Sequence, residues 1–296
     1  MNNQILLHRV LLFFIALVSY TAEAKSSDII VWNRLSDNPV SYRILQLALD
    51  KTVDSYGPYN LKPSIEMEQG RVHTELKRNL RVHIASFAPS QKREDELLPI
   101  RIPVTRGLLG LRVCLIHEDN QQRFTGIDNA QQWIEKAITI GQGQDWPDTA
   151  ILEANQFNVV KSAKYLPLFD MLAKKRFDCF SRSVSEVIPE LNKYTDKGII
   201  LEQNYLLAYR LPTFFFLSRR NQKLAERISL GLTLANKDGS FNKTITNAYR
   251  DQFNKINIRN RKIIYLDNPF LSIETRRTLK DESLWFNPLM TEQPAL

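Results

Sequence analysis

The segment Gly141-Gln142-Gly143-Gln144-Asp145-Trp146 combines residue types that a small-ligand site needs. It follows a strand-like run and leads into Pro147, a residue favoured in the first helical turn. A strand-to-helix turn offers free backbone N–H groups and the positive end of a helix dipole to an anion. Gly141 and Gly143 permit close backbone approach. Gln142, Gln144 and Asp145 bring hydrogen-bonding side chains, and Trp146 an apolar wall. Arginine adds a second chemistry, because its planar fork matches a carboxylate or phosphate. Arg182 stands between a strand-like run and Ser183-Val184-Ser185-Glu186, which fits a capping box at a helix start. Trp32, Arg34, Tyr42, Ser86 and Phe87 lie at or just beyond strand-like ends, where aromatic rings can stack on a ligand.

Catalytic patterns do not emerge from the sequence. It contains no Gly-x-Ser-x-Gly elbow and no Gly-x-x-x-x-Gly-Lys loop. His117-Glu118-Asp119 has no nucleophile beside it, and Cys179 has no histidine as a sequence neighbour. His8, His73, His83 and His117 show no zinc-type spacing with one another or with cysteine. The expectation is a protein with no catalytic centre, metal or cofactor. The net charge of +8 is spread along the chain rather than gathered into an arm. That distribution argues against nucleic acid and for anionic surfaces or small anionic ligands, an ordinary solvated basic surface being the alternative.

The first 24 residues read as a secretory signal peptide. His8-Arg9 precedes the apolar run Val10 to Val18, and Ala22-Glu23-Ala24 supplies a small-x-small cleavage pattern. The run is shorter than the roughly 20 apolar residues of a membrane span. No cysteine follows it directly. The expectation is therefore a secreted, periplasmic protein beginning near Lys25 and not lipid-anchored, an uncleaved anchor being the alternative. With 43% hydrophobic and 24% charged residues the composition is globular, with room for two modest lobes. Cys114 and Cys179 both sit in apolar strand-like runs. They are compatible with one bridge in an oxidising compartment or with two buried thiols.

The positioning elements follow from hydrophobic periodicity. Strand-like runs at 28–32, 61–67 and 80–87 enclose helical patterns at 42–53 and 72–78. This βαβαβ order argues for a largely parallel sheet with helices on its faces. A polar stretch at 89–96 and a connector containing Pro and Gly lead to a second unit. There, strands at 111–116, 138–140, 157–160, 177–180 and 199–202 alternate with helices at 129–137, 147–154, 166–175 and 183–191. A β-rich run at 205–217 leads back towards the first unit. Helices at 222–235 and 240–253, a short strand at 263–266 and a helix at 273–280 complete the pattern.

This order resembles the type 2 periplasmic solute-binding fold, in particular the family 3, amino-acid-type substrate-binding proteins of ABC transporters, over roughly 28–253. Ser90-Gln91-Lys92-Arg93 stands where that family has a Thr-Pro-Glu-Arg-like segment. Gly141 to Trp146 matches its strand-to-helix loop, Phe177-Asp178-Cys179-Phe180 its Val-Asp-Ala-Val-type strand, and Lys237-Asp238-Gly239-Ser240-Phe241 its late Asp-Gly turn. The resemblance implies an α/β protein of two lobes, each a mostly parallel sheet flanked by helices. Lobe 1 would comprise 25–103 and 211–296, lobe 2 would comprise 104–210, and two hinge crossings would fall near 102–110 and 204–211. It sets the strand after the first crossing beside the 177–180 strand, which favours a bridge between Cys114 and Cys179.

The same resemblance puts Arg93 at the place of the carboxylate-anchoring arginine, a solvent-facing Arg93 in its charged run being the alternative. Arg182, followed by the further candidate Ser183, falls at or near the point where amino-acid-binding members carry an acidic residue for the ligand ammonium. An Arg182 facing the cleft would imply an anionic ligand, or an amino acid bound differently. The implied function is capture of a small polar, anionic or amino-acid-like ligand by a monomer serving an inner-membrane ABC permease or a sensor. An exported hydrolase on a similar scaffold and an interaction module without a ligand are the alternatives.

Overall fold

The computed structural model describes residues 26–36 and 38–287, and the signal-peptide segment lies outside the described residues. Lobe 1 opens with β1 (Ser27–Val31), α1 (Pro39–Asp50), β2 (Tyr59–Pro63), α2 (Gln69–Arg78), β3 (Ala85–Phe87), α3 (Gln91–Glu96) and β4 (Leu98–Ile100). Lobe 2 follows with β5 (Leu111–His117), α4 (Ala130–Glu135), β6 (Thr139–Gly143), α5 (Pro147–Ala154) and β7 (Asn158–Ser162). It continues through α6 (Pro167–Ala173), β8 (Cys179–Ser183), α7 (Val187–Tyr194), β9 (Ile199–Leu201) and β10 (Tyr205–Ala208). The chain returns through β11 (Phe214–Leu217), α8 (Gln222–Lys237) and α9 (Ser240–Ile256), then runs into β12 (Lys262–Tyr265) and α10 (Ile273–Thr278). Helix α1 shows why these boundaries form. The Asn38 side chain accepts from Ser41 N–H, Pro39 occupies the first turn, and Ile44, Leu45, Ala48 and Leu49 are buried together.

The sheets are mixed rather than mostly parallel, which corrects the sequence expectation. In lobe 1, β1 and β2 are parallel, but β11 runs antiparallel between β3 and β4. In lobe 2, β6 is parallel to β7 and β8, whereas β5 is antiparallel to β8, β9 and β10. The reason is the crossing itself. Strands that leave a lobe and return to it through adjacent crossings lie side by side and must run in opposite directions. The two connecting segments are hydrogen-bonded where Val104 N–H donates to Thr213 O at 2.9 Å and Tyr209 N–H to Gly110 O at 3.0 Å. One apolar cluster extends from Ile29 and Leu45 in lobe 1 to Val113 and Phe180 on one face of the lobe 2 sheet. A second cluster, around Trp133, fills the opposite face and contains Cys114 and Cys179, which are joined in a disulfide.

Residues after α9 do not stay in lobe 1, against the expectation for 211–296. Strand β12 is the edge of the lobe 2 sheet, parallel to β10, with Lys262 opposite Tyr205. Buried Arg261 anchors this placement, donating to Tyr205 O at 2.9 Å beside the Glu202 carboxylate at 3.5 Å. The segment that follows runs back across both hinge crossings. Asn155 of lobe 2 donates to Asp267 O at 2.7 Å, and Asn268 donates to Arg210 O at 2.8 Å. Ser272 and Thr275 hydroxyls donate to the buried Glu94 carboxylate at 2.9 Å. Trp285 lies on Gly107, where φ is +77° and a Cβ would come within 2.2 Å of the indole. Arg106 donates to Ser283 O and Trp285 O, and the Arg210 guanidinium sits 4.2 Å from the Trp285 ring. Trp285→Ala is expected to cost about 3–5 kcal/mol. Calorimetry is expected to show the melting temperature falling by about 2–4 °C per kcal/mol; an unchanged melting temperature would mean the tail does not brace the hinge.

Lobe 1 has a pH-sensitive joint. His83 Nδ1 accepts from Ile30 N–H at 3.1 Å, and burial holds the imidazole pKa below its ordinary value. The fold therefore keeps the ring neutral, while the unfolded chain takes up a proton near pH 6.5. Stability from this group is complete above about pH 6.5 and is lost as pH falls below it. His83→Gln, which keeps an acceptor but does not titrate, is expected to lose less thermal stability than the wild type between pH 7 and pH 5. Equal losses in the two proteins would place the titrating group elsewhere.

Candidate functional site

Two cavities lie where the lobes meet. The first, of about 220 Å³, is lined by Trp32, Arg34, Asn38 and Ser86 from lobe 1, Ser185 and Glu186 from lobe 2, and Thr105 and Thr213 from the crossings, among others. The second, of about 450 Å³, brings Ser90 and Arg93 against Gln144, Asp145, Trp146 and Pro147, with Asn268, Phe270 and Leu271 from the tail. Thus Arg93, Gln144, Asp145 and Trp146 come together as the sequence suggested, while Trp32 and Ser86 face a different cavity. Tyr42 packs against the lobe 1 core and lines neither cavity. Phe87 is buried between Trp32 and Phe216, with ring centroids 5.2 and 5.9 Å away. The Trp32 indole N–H is already given to Met67 O at 3.0 Å.

Three residues read as a ligand loop are strand residues instead. Gly141, Gln142 and Gly143 belong to β6, paired with β7 in register, and all three are buried. A Cβ on Gly141 would meet Phe177 at 2.3 Å, and one on Gly143 would meet Trp146 at 2.5 Å. The glycines make room for aromatic rings rather than for a ligand. Gln142 is fully buried and donates to Ser181 O at 3.2 Å. Ser183 is buried too, donating to Leu108 O at 2.9 Å, and its place at the end of β8 moves the helix start on to Val187.

Arg182 is the main correction. Its side chain points into lobe 2 and is only 6% exposed. Nε donates to Glu190 Oε2 at 2.7 Å, and Nη2 to Glu190 Oε1 at 2.6 Å and Glu186 Oε2 at 3.1 Å. The guanidinium lies 5.0, 5.2 and 5.4 Å from the Trp146, Phe180 and Tyr165 rings. Burial works against its charge, but the hydrogen bonds and charges of Glu190 and Glu186 more than offset this and hold its pKa above the ordinary value. The fork is committed to carboxylates of its own lobe and does not serve as a ligand anchor.

A second buried guanidinium escaped the sequence reading. Arg112, 2% exposed, pairs with Asp148 at 2.7 Å, and Tyr209 OH donates to the same carboxylate oxygen. Its signal was a charge inside the apolar run of β5, since a cation there must have a partner. Arg93 differs from both. It is half-buried, donates Nη1 to Ala88 O at 2.6 Å and lies 4.9 Å from the Phe87 ring. Burial lowers its pKa from the ordinary value. Among the described residues no carboxylate forms an ion pair with it. The tail residues Asn268, Phe270 and Leu271 were also missed, because nothing local in the sequence says that this segment reaches the cleft.

Arg182→Met leaves the half-buried Glu190 with the Tyr165 hydroxyl but without its cation, and is expected to destabilise the protein by about 1–3 kcal/mol in urea denaturation. The double variant with Glu190→Leu is expected to recover most of that loss, since both charges then leave the interior. A single-variant loss below about 1 kcal/mol would show that the pair does not hold this edge of lobe 2.

No protein-family model matches the sequence, and no curated protein is significantly similar to it. Solved structures do match. The probable amino-acid ABC transporter extracellular-binding protein ytmK of Bacillus subtilis is 15% identical, over 77% of this chain and 99% of that one, with a TM-score of 0.56. The VFT2 domain of BvgS from Bordetella pertussis, as a double mutant, is 14% identical over 75% and 92%, with a TM-score of 0.53. A Streptococcus mutans structure concerned with glutathione import via GshT and the cystine ABC importer TcyBC is 10% identical over 75% and 95%, with a TM-score of 0.50. These likenesses establish the fold as the two-lobed type 2 periplasmic-binding fold, shared with substrate-binding proteins of amino-acid ABC transporters.

Proposed function

We propose that this chain is a periplasmic, non-catalytic solute receptor that captures a small anionic or amino-acid-like ligand between its lobes. The observation that carries the reading is Arg93, the guanidinium of the larger interlobe cavity that no carboxylate among the described residues neutralises. Arg112 and Arg182 have carboxylates packed around them; Arg93 has a carbonyl, a phenyl ring and the cavity. A ligand carboxylate seated there gains charge-assisted hydrogen bonds from a fixed fork. Gln144 and Asp145 on the opposite wall come from lobe 2, so a ligand held between them favours the closed arrangement of the lobes.

Export is supported by the signal-peptide pattern of the first 24 residues, and delivery to an ABC permease or a sensor by the company of the fold. Among the described residues no helix is long and apolar enough to cross a membrane.

Thermal-shift screening with small carboxylates is expected to find ligands that raise the melting temperature, by about 2.7 kcal/mol of linkage at a hundredfold excess over Kd. Arg93→Gln is expected to weaken such a ligand about a hundredfold by calorimetric titration. Absence of any stabilising carboxylate, or undiminished affinity in Arg93→Gln, would overturn the reading.

A further inference from the structure

We infer that the larger interlobe cavity takes a monocarboxylate with an apolar body, an inference that rests on Arg93 being the anion anchor. The cavity that holds Arg93 is also lined by Trp146, Pro147, Ile151, Leu211, Phe270 and Leu271. Lys161 and Glu153, also at this cavity, satisfy each other at 2.6 Å. Once they are set aside, Arg93 and the exposed Asp145 are the charged groups of the lining, so a second anionic group would find no second unpaired cation and would face Asp145. Dicarboxylates and phosphates are thereby disfavoured. About 450 Å³ lies within the usual range of small-molecule sites and leaves room for a ring or a short alkyl chain behind the carboxylate.

The tail gives this reading its second support. Phe270 is 53% exposed, a large ring left in solvent at the lip of the cavity, and the body of a bound ligand would cover it. Its neighbours Ser272 and Thr275 are fixed to Glu94, next in sequence to Arg93, so the apolar lip and the anion anchor are held by one hydrogen-bonded joint. The site therefore pairs one unpaired cation with apolar residues from lobe 2, the second crossing and the tail.

The test is calorimetric titration of the full mature chain with acetate, butyrate, hexanoate, phenylacetate, phenylalanine, glutamate and succinate. Affinity is expected to rise by up to about fourfold per methylene from acetate to hexanoate. Phenylacetate is expected to bind more tightly than glutamate or succinate. Phe270→Ala, at an exposed position the fold tolerates, is expected to reduce the ratio of hexanoate to acetate affinity severalfold. Binding of phenylalanine alongside phenylacetate supports the inference; binding of phenylalanine alone overturns it, because an ammonium would then be required. Tighter binding of glutamate or succinate, lost in Arg93→Gln, would overturn the apolar body while leaving the anion anchor standing. No binding by any carboxylate would remove the anchor as well.

Discussion

A guanidinium taken out of water must have its N–H groups met, by carbonyls at Arg106 and Arg227 and by carboxylates at Arg112 and Arg182, and the carboxylate pairs organise the cleft edge of lobe 2. Arg112 on β5 and Arg182 on β8 occupy adjacent register positions, with Arg112 opposite Ser183 and Val113 opposite Arg182. Side chains alternate along a strand, so the two cations leave the sheet on opposite faces. Helix α5 answers on one face with Asp148, and α7 on the other with Glu190. Glu186, just before α7, is 3.8 Å from Arg112 and 3.1 Å from Arg182 and links the two pairs. Both helical layers are thus held to the same end of the sheet. Arg93, across the cleft, owes nothing to the lobe's internal charge balance.

Element order was legible in the sequence because burial imposes periodicity. Ile44, Leu45, Ala48 and Leu49 repeat at helical spacing, and α1 forms within three residues of the expected limits. The late helices α8 and α9 were read equally well. Contacts between distant residues were not legible. Gly141 and Gly143 have the composition of a ligand loop, and only the Phe177 and Trp146 rings lying against them make them strand glycines. Arg182 offered the same ambiguity. A guanidinium at a strand end looks identical whether it faces a ligand or a Glu190 on the next helix. That Arg93 and Gln144 to Trp146 share one cavity follows from lobe order, whereas Phe270 and Leu271 reach the cleft only through the unforeseen return of β12 to lobe 2.

That return has a mechanical consequence. A flytrap opens by absorbing dihedral changes in a few crossing residues. Here the crossings carry attachments: Trp285 on Gly107, Arg106 on the Ser283 and Trp285 carbonyls, and Arg210 on Glu282 and Trp285. The same segment is tied to lobe 2 at Asn155 and to lobe 1 at Phe253, whose ring lies 4.7 Å from that of Phe286. A rotation between the lobes changes the separation of those two ties, so it must be accommodated within the tail. Residues 268–271 form the cavity wall at one end of this segment, and residues 283–286 hold the hinge at the other. The cavity wall and the restraint of the hinge are therefore made by one stretch of chain. On the proposed reading, a ligand packed on Phe270 and Leu271 would act on the element that restrains the lobes, and its affinity would depend on the hinge angle at which that wall is complete.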